Sequence, residues 1–396
     1  MIVINNDRVT ELDFPAYFKM IGTVITGCDK DEIPDDLVIP DGVTEIVAGA
    51  FQNCTSLKSV TIPDGVTKIG RSAFYTCTSL EGIAIPDSVK EIGNWAFYEC
   101  TSLKSVTIPD GVTEIGEKAF GHCTSLVSVT IPGNVKVIID AFEGCTSLES
   151  VVIAEGVKEI GDWAFSDSTS LKSVTIPDGV TRIGKLAFKG CTSLESIRIP
   201  EGITKILLKT FVNCKSLASV TIANSVTEIY DFAFGNCASL EEIAIPDSVK
   251  EIGAGAFNGS GLRTVTIPKS VKRIFPAAFC ECTSLKSVTI PDGVTAIYGS
   301  AFEKCTSLTS VSIPSSVTYI GETAFRGCTS LASMTIPNSV TTIGDGAFCR
   351  CKSLASVTYT GTKVQWEAIE REHHWGYGLG TFTVHCTDGE LSEKEQ

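Results

Sequence analysis

Residues Cys100–His122 read CTSLKSVTIPDGVTEIGEKAFGH, and the same sentence is written again and again from about Cys28 to Thr360. Its Phe recurs at positions 51, 74, 97, 120, 142, 165, 188, 211, 234, 257, 279, 302, 325 and 348. The step is 23 residues, apart from two steps of 22 that end at Phe142 and Phe279. Self-similarity at a fixed short period encodes stacked units, each of which buries its apolar face only against its neighbours.

Within the unit, Leu103, Val106 and Ile108 are spaced L-x-x-V-x-I, and the alternation over Ser105–Ile108 is the period-2 mark of a short strand with one face inward. Pro109 ends that strand, and Asp110-Gly111 supplies a turn. Val112 and Ile115 return apolar groups to the interior, Gly116 bends the chain, and Glu117–Phe120 reads as one helical or 3₁₀ turn. The expected fold is an α/β repeat, a solenoid with a parallel ladder of about 15 strands from Leu37 to Thr358, roughly 70 Å long at about 4.8 Å per strand. The Phe column, with Phe97, Phe120, Phe188 and Phe211 among its central members, forms the internal spine. The two short steps lose a residue around 138–140 and 259–261, positions read as loops that tolerate it.

The ends depart from the period, as terminal coils must when they close a core. Residues 1–27 are read as an N-terminal cap, 28–358 as the solenoid, 359–388 as a C-terminal cap and 389–396 as a loose polar tail. In the second cap, Thr362–Glu370 is expected to form an amphipathic helix with Val364, Trp366 and Ile369 inward.

Twelve of the 16 Cys, among them Cys100, Cys123, Cys191 and Cys214, stand three residues after the Phe, and Ser168 and Ser260 complete that column. Replacement by Ser shows that no covalent bond is required there, so the column reads as a ladder of small buried thiols. The C-x-C pairs Cys280/Cys282 and Cys349/Cys351 lack the paired C-x-x-C hooks of a zinc site. Cys28 and Cys386 are left without a role. His373 and His374, beside Glu370 and Glu372, read as solvated and not as metal ligands.

With 32 basic against 46 acidic residues, the net charge of −14 repels phosphate backbones and argues against nucleic acid as a partner. No apolar run reaches the length of a membrane span. The N-terminus, with Asp7, Glu11 and Asp13, does not read as a signal peptide. No nucleophile–base pair, phosphate loop or dinucleotide fingerprint stands apart from the repeated copies, so neither an enzyme nor a cofactor is expected.

Two outward features remain. One strand column is Ser in 11 of 14 units and another is Thr in nine, which suits a tight ladder and also offers a periodic hydroxyl face to an ordered ligand. Arg198 and Glu242 interrupt it. Large aromatics occupy columns that are elsewhere small or polar: Tyr75, Trp95, Tyr98 and Trp163 in the first half, Tyr230, Phe232, Phe275, Tyr298 and Tyr319 in the second. Such rings are typical contact anchors. Trp95 is expected near Tyr75 and Tyr98.

The run C-T-S-L-x-S-V-T-I-P-x-x-V-x-x-I-G-x-x-A-F resembles the BspA-like leucine-rich repeat, whose 23-residue unit carries an Ala-Phe pair and a Cys in place of the usual asparagine. Tyr359–Thr362, Gln365-Trp366 and Val384–Thr387 are similar to the C-terminal cap of its bacterial members. The resemblance implies a right-handed solenoid serving as a cell-surface or secreted, non-catalytic binding scaffold, often adhesive, with a protein or glycan partner. An intracellular interaction scaffold is the alternative, since no signal peptide is visible.

Overall fold

The computed structural model describes residues 14–393 and the backbone of Ile2–Asn5 and Arg8–Glu11, which pair as an antiparallel hairpin. Part of the expected N-terminal cap, and residues 394–396 of the expected tail, lie outside the described residues. The chain divides into two compact units, Met1–Leu194 and Glu195–Gln396. Each is a parallel β-solenoid.

In the first unit the L-x-x-V-x-I segments pair in register from Asp36–Val38 to Ser173–Thr175, for example Ser105 with Ser128 and Val106 with Val129. Ser105 and Thr107 face out while Val106 is buried, as the period of two dictates. A second, two-residue ladder runs beside it, through Glu45–Ile46, Lys68–Ile69, Glu91–Ile92 and Glu114–Ile115. That ladder was not expected, because a polar residue before one Ile is too short a pattern to reveal a strand.

Among the described residues the expected helical turn is replaced by β-turns, and each unit is a parallel β-solenoid of very low helical content. Between Gly116 and Cys123, Ala119 N–H donates to Gly116 O (3.2 Å), Gly121 N–H to Lys118 O (3.0 Å) and Cys123 N–H to Phe120 O (3.3 Å). Lys118 (φ 52°) and His122 (φ 56°) interrupt them in the left-handed region, so successive β-turns form where a helix would continue. The Phe N–H groups thereby point along the stack: Phe97 N–H donates to Ala119 O at 2.7 Å and Phe120 N–H to Ala141 O at 2.9 Å. These bonds tie each coil to the next along a third column.

Inside, the Phe rings stack face to face. In the first unit, centroids from Phe51 to Phe188 lie 5.0–5.6 Å apart and planes within 15°. The second unit repeats this from Phe211 to Phe348. Coil spacing, not ring preference, sets this geometry, since every Phe is carried at the same point of a parallel ladder.

The two short steps are not silent. At the first, Gly116-Glu117-Lys118 is contracted to Ile139-Asp140, and the short ladder breaks: Val137–Ile138 pairs onward with Glu159–Ile160 but not back to Glu114–Ile115. At Gly116 an added Cβ would meet Asn94 N at 2.4 Å, whereas the shortened coil presents Ile139 at the corresponding place. In the second unit the short ladder breaks again between Glu251–Ile252 and Arg273–Ile274, where Gly253 gives way to Phe275. Its long ladder also opens at 242–245, just before the second short step.

At one end of the first unit, Phe18–Ile21 and Val24–Cys28 form a hairpin whose second strand continues the short ladder. At the far end of the second, the helix is Lys363–Glu367, started by a capping box between Thr362 and Gln365. Trp366 and Ile369 are buried, but Val364 faces solvent, correcting the expectation for it: two residues along a helix turn through about 200°, so Val364 and Trp366 cannot share a face. Gly389–Glu393, expected to be loose, pairs antiparallel with Phe382–Cys386.

Candidate interaction surface

The column two residues before the Phe is left-handed throughout: φ is 54° at Ser72, 56° at Trp95, 59° at Trp163, 56° at Leu186, 53° at Phe232 and 53° at Thr323, and Gly49, Gly255 and Gly346 occupy the same place. A second left-handed column, four residues on, holds Asn53, Asn213, Asn236, Gly144 and Gly190 among others. L-residues pay roughly 1–2 kcal/mol for this conformation and bulky ones are rare in it. Trp95, Trp163 and Phe232 therefore sit where the backbone favours Gly. Trp163 and Phe232 remain 37% and 36% exposed.

Each of these rings faces a cation that sequence reading missed. The Arg71 guanidinium lies 4.3 Å from the Trp95 centroid, Lys189 Nζ 5.4 Å from Trp163, and Lys209 Nζ 5.6 Å from Phe232. The signal was present as Lys or Arg near a one-repeat offset. Such contacts attract the cation to the face of the ring. Phe232 also lies over Gly255, where an added Cβ would come within 2.5 Å of the ring.

The expected Tyr75–Trp95–Tyr98 cluster resolves into two parts. Tyr75 and Tyr98 stack at 5.4 Å, and Tyr98 meets the His122 ring edge-on at 5.3 Å. Among the described residues, the ring contact of Trp95 is with Arg71. Burial pushes the Tyr98 hydroxyl pKa up. In the second unit, Tyr230 accepts a hydrogen bond from Lys205 Nζ at 3.2 Å. Phe275, Tyr298 and Tyr319 form a half-buried ring ladder with centroids 6.1 Å apart, and Arg273 lies over Phe275.

The Cys column lies inside. Cys100 Sγ donates to Phe74 O and Cys191 Sγ to Phe165 O, both at 3.2 Å. Ser168 Oγ does the same to Phe142 O at 3.2 Å, so the column selects a small donor. Burial raises the thiol pKa values, to about 12 for Cys77, Cys145, Cys237 and Cys282. Burial so disfavours the thiolate that these four thiols are poor nucleophiles. Cys28, unassigned from sequence, stands where a Phe carbonyl would receive Cys54: the two Sγ atoms are 3.3 Å apart. Among the described residues no group of three His, Cys, Asp or Glu is arranged to hold a metal ion. His374 Nδ1 lies 3.7 Å from Asp345 Oδ1; the His is exposed and the Asp half-buried. No helix among the described residues is long and apolar enough to cross a membrane.

A family model described as a BspA type leucine-rich repeat region matches residues 33–141, 139–263 and 250–371. Among solved structures, a leucine-rich repeat protein from Bacteroides ovatus is 31% identical, with 96% of this chain and 99% of that chain covered and a TM-score of 0.71. A leucine-rich cell surface protein from Faecalibacterium prausnitzii is 30% identical over 93% of this chain and 97% of its own, with a TM-score of 0.49. No curated protein matches significantly. On the family model, and on identity to the Bacteroides protein over nearly its whole length, the chain belongs to the BspA type leucine-rich repeat family.

Proposed function

We propose that the protein is a non-catalytic binding scaffold whose partner, a protein or a glycan, is gripped by aromatic rings carried in the left-handed column. Trp95, Trp163 and Phe232 are the principal anchors, with Tyr75, Tyr98, Tyr230, Phe275 and Tyr298 as flanking contacts. The reading rests on one observation: these coils keep bulky, part-exposed rings at φ 53–59°, a place that Gly fills in other coils of the same chain. A residue held against backbone preference without a packing need is a candidate for function. Proteins of this family are typically interaction scaffolds and typically surface-associated, which supports a surface or secreted location. Residues 1–27 and 359–388 serve in this reading as caps that keep the open ladders from pairing with other chains.

The test is an array of extracellular-matrix proteins and glycans, probed with the native chain and with Trp95→Gly/Trp163→Gly/Phe232→Gly. At least one ligand should be retained by the native chain and lost by more than tenfold in the variant, at an unchanged unfolding midpoint. Equal retention by both removes the rings from the interface.

A further inference from the structure

The long ladder of the second unit is interrupted over a single coil. Ser196–Ile199 pairs with Ser219–Ile222, and Thr264–Thr266 with Ser287–Thr289, but Glu242–Ile245 between them pairs with neither. Among the described residues, no backbone N–H or C=O of Glu242–Ile245 has a hydrogen-bond partner. The Ile-Ala-Ile run alone does not cause this, since Ile83-Ala84-Ile85 repeats Ile243-Ala244-Ile245 and its segment Gly82–Ala84 pairs on both sides. Two things differ: Glu242 stands where the paired segment has Gly82, and in the next connection Phe257 to Leu262 is one residue shorter than Phe234 to Leu240. That connection is drawn tight: Gly261 N–H reaches Cys237 O, and an added Cβ at Gly261 would lie 2.1 Å from Ala238 O. Arg263 N–H still bonds Glu241 O at 2.9 Å, and beyond that point the two coils part.

The parting leaves a cavity of about 1060 Å³ on the strand face. Ile243 and Ile245 line it and are half-buried, whereas their counterparts Ile197 and Ile199 are 4% and 1% exposed. Glu242, Asp247 and Asp292 also line it, against one cation, Lys269. Glu242 stands in the column that is Ser in 11 of 14 coils; Asp36, which pairs in register with Ser59 on the first rung, is its other acidic member.

We propose that this opening receives an extended, basic peptide segment of a partner protein, which satisfies the backbone of Ile243–Ile245 by strand addition. Unpaired N–H and C=O groups alternating along a strand are matched in geometry by another strand and by no sugar. Apolar side chains at every second peptide position then cover Ile243 and Ile245, and Lys or Arg side chains meet Glu242, Asp247 and Asp292. The inference rests on the reading of the chain as an interaction scaffold, but uses a surface that contains none of the aromatic anchors.

The probe is an acetylated and amidated octapeptide of alternating Lys and Val, added to the full chain and followed by hydrogen exchange and fluorescence anisotropy. In the free protein, Ile243–Ile245 amides should exchange at least about 100-fold faster than those of Ser196–Ile199, as unpaired strands do. The peptide should slow them selectively. A Glu/Val peptide should bind at least tenfold more weakly, and Glu242→Ser, which restores the usual residue of the column, should weaken the Lys/Val peptide about fivefold. Trp163→Gly/Phe232→Gly should bind it as the native chain does, so that failure here and failure of the aromatic anchors are separable. Slow exchange of Ile243–Ile245 in the free protein would overturn the proposal. So would protection spread over the acidic surface, or equal binding of the two peptides.

Discussion

Cys123 Sγ donates to the carbonyl oxygen of Phe97, one coil away, at 3.2 Å. The same bond recurs along both units and couples the two most regular columns of the sequence, the thiol and the ring. Because each Phe carbonyl also accepts the N–H of the Cys in its own coil, the ladder bond is an added tie and not the sole satisfaction of a buried acceptor.

Replacing Cys100 by Ser should therefore be milder than replacing it by Ala. Ser keeps the donor, as Ser168 does, whereas Ala gives up the bond to Phe74 O and opens a small void. The expected gap in unfolding free energy between the two variants is about 1 kcal/mol. Chemical denaturation measures it, and an Ala variant as stable as the Ser variant would show the bond to be idle.

The ring column carries more. Phe120→Ala removes a fully buried ring stacked on both sides, at 5.2 Å from Phe97 and 5.4 Å from Phe142. A loss of about 3–5 kcal/mol is expected by the usual range for core cavities. A loss below about 1 kcal/mol would mean that neighbouring coils collapse into the space.

Asp140 gives the fold a pH dependence. Its carboxyl is buried, Oδ1 has no hydrogen-bond partner, and Glu143 lies nearby, while Lys118 Nζ stands 3.6 Å away. Burial first, and Glu143 second, push its pKa up to about 7. The unfolded value is about 3.9, so the folded chain holds the extra proton and stability falls as pH rises from about 4 to 7. Above that window the cost is complete. Asp140→Asn, compatible with φ 52°, should abolish this slope and raise stability at pH 8 by on the order of 2 kcal/mol. Parallel pH profiles of variant and native chain would contradict it.

Thiol reactivity should separate Cys28 and Cys54 from the rest of the ladder. A hydrogen bond from Cys54 lowers the Cys28 pKa, and its counterpart raises that of Cys54. Oxidised glutathione should be attacked by the Cys28 thiolate; once Cys28 is a mixed disulfide, the partner that raises the Cys54 pKa is gone, and Cys54 should displace the second glutathione to close a disulfide with two thiols released. Mass spectrometry of the native protein should find this bond and no other within the ladder. Random pairing among Cys77, Cys100 and Cys123 would show that the coils open on the timescale of the reaction.

The sequence made the period, the Phe spine and the buried thiols legible, because each is repeated in nearly every coil. The left-handed columns were less visible. Trp95, Trp163, Phe232 and eight further non-Gly residues obscure a left-handed backbone that Gly49, Gly255 and Gly346 alone declare, and the helical reading of Glu117–Phe120 followed from missing it. The opening at Glu242–Ile245 was not legible at all: Ile-Ala-Ile is paired at 83–85 and unpaired at 243–245, and what differs is Glu242 in place of Gly82 and a residue missing some fifteen positions on. Fold is local and repeated here, whereas the candidate sites lie where the repetition fails.

That the rings are kept for a partner and not for the fold is tested most directly by the unfolding free energy of Trp163→Gly. Relief of the left-handed strain offsets the loss of the Lys189 contact and the added freedom of the unfolded chain, so stability within about 1 kcal/mol of the native protein is expected. A loss above about 2 kcal/mol, approaching that of a buried aromatic, would place Trp163 in the fold and contradict the assignment.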